Sequence, residues 1–408
     1  MKTFRNCMGM GLLLAAAGAA AEQGLAEDLA AAVKAGTVGV EFRYRYEWVD
    51  QDGIDKDANA STLRSRLSAS SGDFHGFSVS GEADNVTVIG PDDYNSTENG
   101  KVQYPVVADP KGTVVGQAYL KYTGDGGHGI YGRQRVNLSN QRFVGSVGWR
   151  QNEQSMDGFR GYWQALDKLS VDYTYAYRVN RIFGPDDGTF PADWWGDNNF
   201  LYVDWTPAAE QHIGLFGYYV DVDSRHSYPA PKTVNNSSQS AGVEYIGKIA
   251  SLRVRASFAR QSDAGDSELD YDADYYLIDV KYLEKSWYAG VGYEVLGSDD
   301  GNAGFRTPLA TGHAFNGWAD VFLVTPDDGL EDIYVYVGGD LPAGIKGKAV
   351  YHWFDPNEGS ADFGEEIDLV ASKKLSENAE LLAKYAYYNG DGAFADITRF
   401  WLQLTLNY

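Results

Sequence analysis

The sequence is poor in several residue types, and each shortage excludes a class of protein. Its 408 residues include a single cysteine, Cys7, with 12 prolines and 4 methionines. Cys7 lies in an N-terminal segment that we predict to be removed, so disulfides, cysteine-bound metal and a cysteine nucleophile are excluded from the remaining chain. Lysine and arginine total 34 against 57 aspartate and glutamate residues, which gives a formal charge of -23. This acidic balance disfavours nucleic-acid binding.

Long hydrophobic runs are also missing, except at the N-terminus. The mean hydropathy is -0.38, so the chain is not a helical membrane protein. Residues 1–21 combine a basic start, a short apolar stretch and three alanines before Glu22, which is the pattern of a secretory signal peptide. The alternative, an anchoring helix, is disfavoured because the apolar stretch is too short to span a bilayer. We predict a signal peptide at 1–21, a periplasmic lead-in at 22–37, and a folded domain at 38–408.

Aromatic residues, glycine and segments with a period of two are abundant. The chain has 47 glycines, 29 tyrosines and 10 tryptophans. From Val40 to Trp48, aromatic and aliphatic side chains alternate with Glu41, Arg43, Arg45 and Glu47. A strand with one apolar and one charged face fits the wall of a barrel between lipid and a water-filled lumen.

Similar candidate strands recur to the C-terminus, among them 77–87, 199–206 and 287–296, joined alternately by short turns and by long acidic loops. This alternation is typical of transmembrane β-barrels. The last candidate strand, residues 397–408, ends on Tyr408 and resembles the assembly signal of bacterial outer-membrane barrels. The candidates number nineteen, whereas bacterial barrels have an even number, so we assign the segment 314–324 to a long outer loop, residues 297–330. We therefore predict an all-β fold: a transmembrane antiparallel up-and-down β-barrel of eighteen strands in the bacterial outer membrane.

Seven arginines lie between Ile130 and Gly184, although the chain is acidic overall. Arginines on the strands should face the lumen, because a cation on the lipid face at mid-membrane costs roughly 2–4 kcal/mol. Guanidinium groups bind carboxylates bidentately, which suits carboxylated sugars and organic acids. The predicted substrate pathway consists of Arg43, Arg45, Arg64, Arg66, Arg133, Arg135, Arg150, Arg160 and Arg178. The alternative is that these arginines pair with lumen acids and serve only to stiffen the barrel.

Catalytic and cofactor motifs are missing. The six histidines show no metal-ligand spacing, and no glycine-rich phosphate loop follows a strand. We therefore predict no catalytic residue, no metal site, no cofactor and no enzymatic activity. Acidic outer-loop pairs such as Asp186 and Asp187 are interpreted as solvated charge, with divalent cation binding left open. Three classes remain: a selective anion or polyuronate channel, a nonspecific porin, and a barrel enzyme or adhesin.

Several stretches resemble the alginate export family of bacterial outer-membrane porins. They are FRYRYE (42–47), YGRQ (131–134), NQRFVGSVGWRQN (140–152), MDGFR (156–160), YRVNRIFG (177–184), GWADVFLVTP (317–326), YHWF (351–354) and RFWLQL (399–404). The resemblance implies a monomeric eighteen-stranded barrel with an arginine-rich constriction. It places Arg133, Arg150 and Arg160 at that constriction, with Arg43 and Arg45 near them. The alginate exporter has an extended periplasmic loop, whereas every periplasmic joint predicted here is short.

Together these features predict an outer-membrane channel that passes anionic solutes, with polyuronate such as alginate or its oligomers as a candidate cargo. The alternatives are a nonspecific porin and an uptake channel for small organic anions. The predicted partners are an anionic small molecule or polysaccharide, outer-membrane lipid and the barrel assembly machinery, and the chain is predicted to be a monomer. Trp318 and Phe322 of the long outer loop are predicted to fold into the pore mouth, narrow it and offer a surface for a sugar ring.

Overall fold

A computed structural model of the chain describes residues 19–223 and 236–408, and side chains from Leu25 onward. The predicted signal peptide, including Cys7, lies almost entirely outside the described residues, so its removal stays a prediction. Within these ranges, no helix combines the length and the hydrophobicity that a membrane span requires.

The described chain consists of one α-helix followed by eighteen β-strands. The helix is α1 (Ala19–Lys34). The strands are β1 (Thr37–Gln51), β2 (Ala58–Ser70), β3 (Phe77–Asp93), β4 (Gly112–Gly124), β5 (Gly127–Gln134), β6 (Ser155–Leu166), β7 (Leu169–Asn180), β8 (Asp193–Ala208), β9 (Gln211–Val220), β10 (Ser238–Ile249), β11 (Leu252–Asp263), β12 (Asp272–Leu283), β13 (Trp287–Leu296), β14 (Leu330–Leu341), β15 (Ile345–Asp355), β16 (Gly364–Lys374), β17 (Ala379–Asn389) and β18 (Ile397–Asn407).

The strands form a single closed antiparallel sheet. Each strand pairs with its neighbours in the chain, and β1 pairs with both β2 and β18, which closes the barrel. Closure leaves no free strand edge, as a bilayer requires. The predicted eighteen-stranded barrel is confirmed. The segment 314–324 lies in the loop between β13 and β14, so its assignment to a loop is also confirmed.

The two faces of the wall follow the alternation seen in the sequence. On β1, Arg43, Arg45 and Glu47 are buried, whereas Phe42, next to Arg43 on the other face, is 37% exposed. Directly opposite residues in a sheet share a face, and Tyr44 lies opposite Leu404 of β18 while Arg45 lies opposite Gln403. The charged face of β1 therefore lines the lumen, and the aromatic face points toward lipid.

Short and long connections lie at opposite ends of the barrel. Residues 167–168 and 284–286 make short turns, which face the periplasm in barrels of this kind. Helix α1 lies at the same end, where the Gly72 amide donates to the Ala32 carbonyl at 2.8 Å. At the other end, the β5–β6 loop (135–154) and the β13–β14 loop (297–329) fold back into the lumen, because their side chains contact inward-facing strand residues.

A β-bulge at Tyr177 changes which residues of β7 face the lumen. Asp157 and Gly158 are consecutive on β6 but pair with Arg178 and Ala176, and the pairing with β8 is irregular at the same point. A shift by one residue reverses the faces of every position beyond it. Val179 is therefore buried opposite Trp194, and Arg178 lies opposite the exposed Trp195.

Candidate channel constriction

The β5–β6 and β13–β14 loops, here called the inner loops, meet inside the lumen beside the wall formed by β17, β18, β1 and β2. We take this meeting point as the candidate constriction. Arg150 of the β5–β6 loop joins these parts. Its Nη2 lies 2.9 Å from Asp320 Oδ2 of the β13–β14 loop, and its Nη1 lies 3.1 Å from Glu47 Oε2 on β1. Burial alone would lower the pKa of Arg150, but the carboxylates of Glu47, Asp109 and Asp320 raise it above its usual range, so the side chain stays charged.

Asp320 also fixes the tautomer of a buried histidine. Asp320 Oδ1 lies 2.7 Å from His313 Nδ1, and the Lys384 ammonium on β17 lies 2.6 Å from His313 Nε2. Burial lowers the pKa of His313 to about 3, and the charge of Lys384 acts in the same direction. His313 is therefore neutral at pH 7, donating through Nδ1 to Asp320 and accepting through Nε2 from Lys384.

Two tryptophans, one from each inner loop, lie on either side of Lys384. Its Nζ is 4.4 Å from the Trp149 ring centroid and 3.6 Å from the Trp318 ring centroid. The Trp149 ring also stacks on His313, with ring centroids 4.6 Å apart. The Arg45 guanidinium lies over the same ring, 4.1 Å from its centroid. These contacts hold the two loops together through aromatic faces and cations.

A lattice of arginines and carboxylates covers the wall beside the β5–β6 loop. Glu153 of this loop accepts hydrogen bonds from Arg64 at 2.8 Å and Arg66 at 2.9 Å, and Arg135 Nε lies 2.5 Å from its other oxygen. Arg66 also binds Asp84 bidentately, with both distances 2.7 Å. Since each guanidinium in this lattice has carboxylate partners, its charge is largely balanced.

Arg43 holds the β5–β6 loop by hydrogen bonds, whereas Arg45 is hydrogen-bonded to the neighbouring strand β18. Arg43 donates to the Gln151 side chain at 3.0 Å, to the Gly148 carbonyl at 2.9 Å and to the Arg150 carbonyl. Arg45 donates to Gln403 at 2.6 Å. Backbone carbonyls as acceptors mark Arg43 as a support for the loop.

The structure divides the predicted pathway arginines into two groups. Seven contact lumen residues or the inner loops: Arg43, Arg45, Arg64, Arg66, Arg135, Arg150 and Arg160. Arg160 is bidentate to Asp172 across β6 and β7, with a shortest distance of 2.6 Å. Most predicted arginines are therefore in the lumen, and most are in ion pairs.

Arg133 and Arg178 lie apart from the constriction, which differs from the expectation. Arg133 shares the face of Tyr131, which is 61% exposed, and lies opposite Asp157, 2.7 Å away. Arg178 pairs with Asp193 at 2.5 Å and shares its face with Trp195. Both side chains point outward near the outer rim. The bulge in β7 reverses the face of Arg178, and strict alternation from Tyr131 already places Arg133 outward.

The two predicted pore-mouth residues have different surroundings. Phe322 is buried in an aromatic cluster and lies 4.7 Å from Phe354 and 5.3 Å from Phe394 between ring centroids. It anchors the β13–β14 loop and offers no ring face to solutes. Trp318 is half-buried beside Lys384, so its ring remains next to the lumen.

Several residues of the constriction carry no sequence signal. His313, Asp320 and Glu153 lie in irregular loops, where no period assigns a face. Trp149 falls within a stretch that carried the family resemblance, but nothing in that stretch identified its contact with Arg45. Alternation alone does place Lys384 in the lumen. In the described ranges, no group of three or more histidine, cysteine or acidic side chains could hold a metal ion.

Comparison with known proteins gives one family and many similar structures. The family described as "Alginate export" matches residues 35–287, more than half of the chain. No curated protein sequence matches. The crystal structure of Pseudomonas aeruginosa OccK3 (OpdO) is similar with a TM-score of 0.68 and 14% identity, covering 93% of this chain and 97% of that one. Acinetobacter baumannii OccAB2 is similar with a TM-score of 0.67 and 15% identity, covering 93% and 99%. At such identities the likeness shows the fold alone.

Proposed function

Because the chain belongs to the alginate export family and folds as an outer-membrane porin barrel, we propose that it is a channel for anionic solutes whose preferred cargo is a polyuronate such as alginate or its oligomers. Its family and fold are those of non-enzymatic channels of the bacterial outer membrane. We further propose that residues 1–21 are removed on export, that the barrel assembly machinery inserts the chain, and that the barrel works as a monomer.

The observation that carries this proposal is the distribution of cations in the lumen. On β1, β2 and β18 the arginines Arg45, Arg64, Arg66 and Arg399 are in ion pairs. Elsewhere in the lumen, Lys121 on β4, Arg253 on β11, Lys281 on β12 and Lys348 on β15 have no carboxylate oxygen within 4.0 Å in the described part of the chain. The lumen therefore holds both paired and unpaired cations.

Paired and unpaired cations act differently on a passing solute. A paired guanidinium has its charge neutralised locally and mainly holds the inner loops in place. An unpaired ammonium in a narrow, partly low-dielectric lumen raises the local concentration of mobile anions. We therefore assign anion attraction to the unpaired cations Lys121, Arg253, Lys281 and Lys348. The shape of the passage is assigned to Arg43, Arg45, Arg64, Arg66, Arg135 and Arg150. Arg160, which is half-buried beside Asp172, contributes to the passage itself.

One observation favours a second candidate, a nonspecific porin or an uptake channel for small organic anions. Charges at the constriction are nearly balanced, since Arg150, Arg399 and Glu47 form one connected ion-pair network with Asp320. A balanced constriction selects weakly by charge and mainly by size. Under this second candidate, sugar acids and neutral sugars of equal size pass equally well.

Flux measurements separate the two candidates. Proteoliposomes containing the purified barrel are loaded with trigalacturonate or with maltotriose, a neutral trisaccharide, and the release of each is followed. The proposal predicts faster release of trigalacturonate, lowered by the K281Q/K348Q double substitution. Equal release of both sugars from the wild-type barrel supports the nonspecific porin and overturns the proposal. Lys285→Gln, in the turn between β12 and β13, is the matched control.

A further inference from the structure

The wall formed by β12 to β15 has an unusual surface, because three inward-facing tyrosines lie over glycines. A Cβ atom built at Gly290 would collide with the Tyr336 ring, one at Gly292 with the Tyr334 ring, and one at Gly338 with the Tyr288 ring. Only glycine allows these rings to approach the backbone so closely. The rings therefore lie against the wall and do not project into the passage.

Hydrogen bonds fix the orientation of two of these rings. The hydroxyl groups of Tyr334 and Tyr336 both donate to Asp279 of β12, at 3.1 Å and 2.9 Å. The two rings are nearly parallel, with an interplanar angle of 25° and centroids 6.0 Å apart. Both rings are therefore held rigidly with their hydroxyl groups satisfied. Tyr336 is only 8% exposed, whereas Tyr288 and Tyr334 are half-buried and leave part of each ring open to the lumen.

Two lysines lie along this surface. Lys281 Nζ is 5.1 Å from the Tyr288 ring centroid and 5.4 Å from that of Tyr336. Lys348 Nζ is 5.4 Å from the Tyr336 centroid and 5.7 Å from that of Trp318. Neither ammonium forms an ion pair among the described residues, so each can accept a carboxylate partner from a solute.

These aromatic residues and lysines are arranged along the length of the pore. Tyr288 is the second residue of β13, next to the periplasmic turn 284–286, and Trp318 belongs to the inner loop at the constriction. The aromatic residues therefore extend from the periplasmic end of the lumen toward the point where the two inner loops meet.

We propose that Tyr288, Tyr334 and Trp318, with Lys281 and Lys348, form a binding track for uronate residues of a sugar chain, and that the buried Tyr336 supports it from the wall. A pyranose ring stacks its C–H face on a tyrosine or tryptophan ring, and its carboxylate binds a neighbouring ammonium. A neutral sugar makes only the stacking contact, and a small anion makes only the charge contact. The track thus selects carboxylated sugars over both. This inference rests on the proposed function and names the substrate class that the channel holds.

Blocking of ionic current by trigalacturonate tests the track. Sugar is added to single channels in planar bilayers, and the dissociation constant is obtained from the block. Tyr288→Leu fills the space over Gly338 without an aromatic face and should weaken trigalacturonate binding about tenfold, equivalent to ~1.4 kcal/mol. Tyr288→Phe should retain binding. The K281Q/K348Q double substitution should weaken trigalacturonate block and leave maltotriose block unchanged. Tyr293→Leu, on the outer face of β13, is the matched control.

The outcomes distinguish the track from the channel function. If heat-modifiable, folded Tyr288→Leu is blocked as strongly as wild type, the tyrosines only fill the wall and the track is wrong. If wild type prefers anions but binds trigalacturonate no more tightly than maltotriose, the track is again wrong while the proposed function stands. If wild type shows no anion preference, the proposed function itself fails.

Discussion

Arg150 and Asp320, which lie 170 positions apart in the chain, meet at 2.9 Å inside the barrel and join its two inner loops. Both side chains are buried, and Glu47 on β1 binds the same guanidinium. Removing one partner of a buried ion pair leaves the other charge uncompensated, which costs roughly 3–5 kcal/mol. The Arg150–Asp320 pair is therefore one of the buried contacts that hold the two inner loops together inside the lumen.

Asp320→Asn should widen the channel. The substitution leaves Arg150 without one of its carboxylates and weakens the link between the loops, so single-channel conductance and current noise should both rise. Arg260→Gln, which removes an exposed ion pair with Asp272 at the outer rim, serves as the control and should change neither. An Asp320→Asn channel with wild-type conductance would show that the loops are held by other contacts.

The connection between the loops should weaken in acid. With the β13–β14 loop folded into the lumen, the pKa of His313 is about 3, because burial disfavours its charge. If this loop is released into water, the pKa returns to about 6.5. The released state then binds the proton more readily, so the connection is fully stable above about pH 6.5 and loses stability as the pH falls toward 3. Single-channel noise should increase between about pH 6.5 and pH 4. In His313→Gln this increase should be absent; an unchanged pH response would rule out His313 as its source.

Phe322→Ala should release the β13–β14 loop from its aromatic anchor. The ring packs on Phe354 and Phe394, and truncating a buried phenylalanine costs roughly 3–5 kcal/mol. Conductance should rise while the barrel still assembles, as judged by heat-modifiable migration in gels. Leu323→Ala, at an exposed neighbouring position, is the control. Recovery of no folded protein would show instead that the anchor is needed for assembly.

Arg160 and Arg133 should respond differently to neutralisation, although both form ion pairs across neighbouring strands. Arg160→Gln leaves Asp172 unpaired in the lumen and should shift ion preference toward cations. Arg133→Gln removes a cation that pairs with Asp157 on the outer face, so selectivity should not change. Reversal potentials measured in one salt gradient compare the two. Equal shifts for both variants would contradict the assignment of their faces.

The barrel could be predicted from the sequence because each strand meets lipid on one face and water on the other. This contrast makes side chains alternate, and β13 was predicted with the same bounds as observed, Trp287–Leu296. The ends of the strands at the outer rim were predicted less well. β3 continues to Asp93, beyond the predicted end at Thr87, and β8 begins at Asp193, before the predicted start at Asn199. Beyond the bilayer both faces are polar, so the alternation disappears.

The constriction could be predicted only in part. Alternation identified Arg43, Arg45, Arg64 and Arg66 as lumen residues, because they lie on regular strands. It could not identify the partners of Arg150, since the pairs with Glu47 and Asp320 depend on how irregular loops fold back across the barrel. It also failed for Arg178, because a single bulge reverses a face and leaves no clear mark in the residues around it.

The reversal potential of single channels in a potassium chloride gradient tests the central claim, that unpaired lumen lysines make the channel anion-selective. We predict that the wild-type potential lies on the anion side, and that the K281Q/K348Q double substitution moves it toward zero. Lys285→Gln, in the periplasmic turn, should leave it unchanged. A wild-type potential at zero or on the cation side, or a double variant with the wild-type potential, would contradict this account.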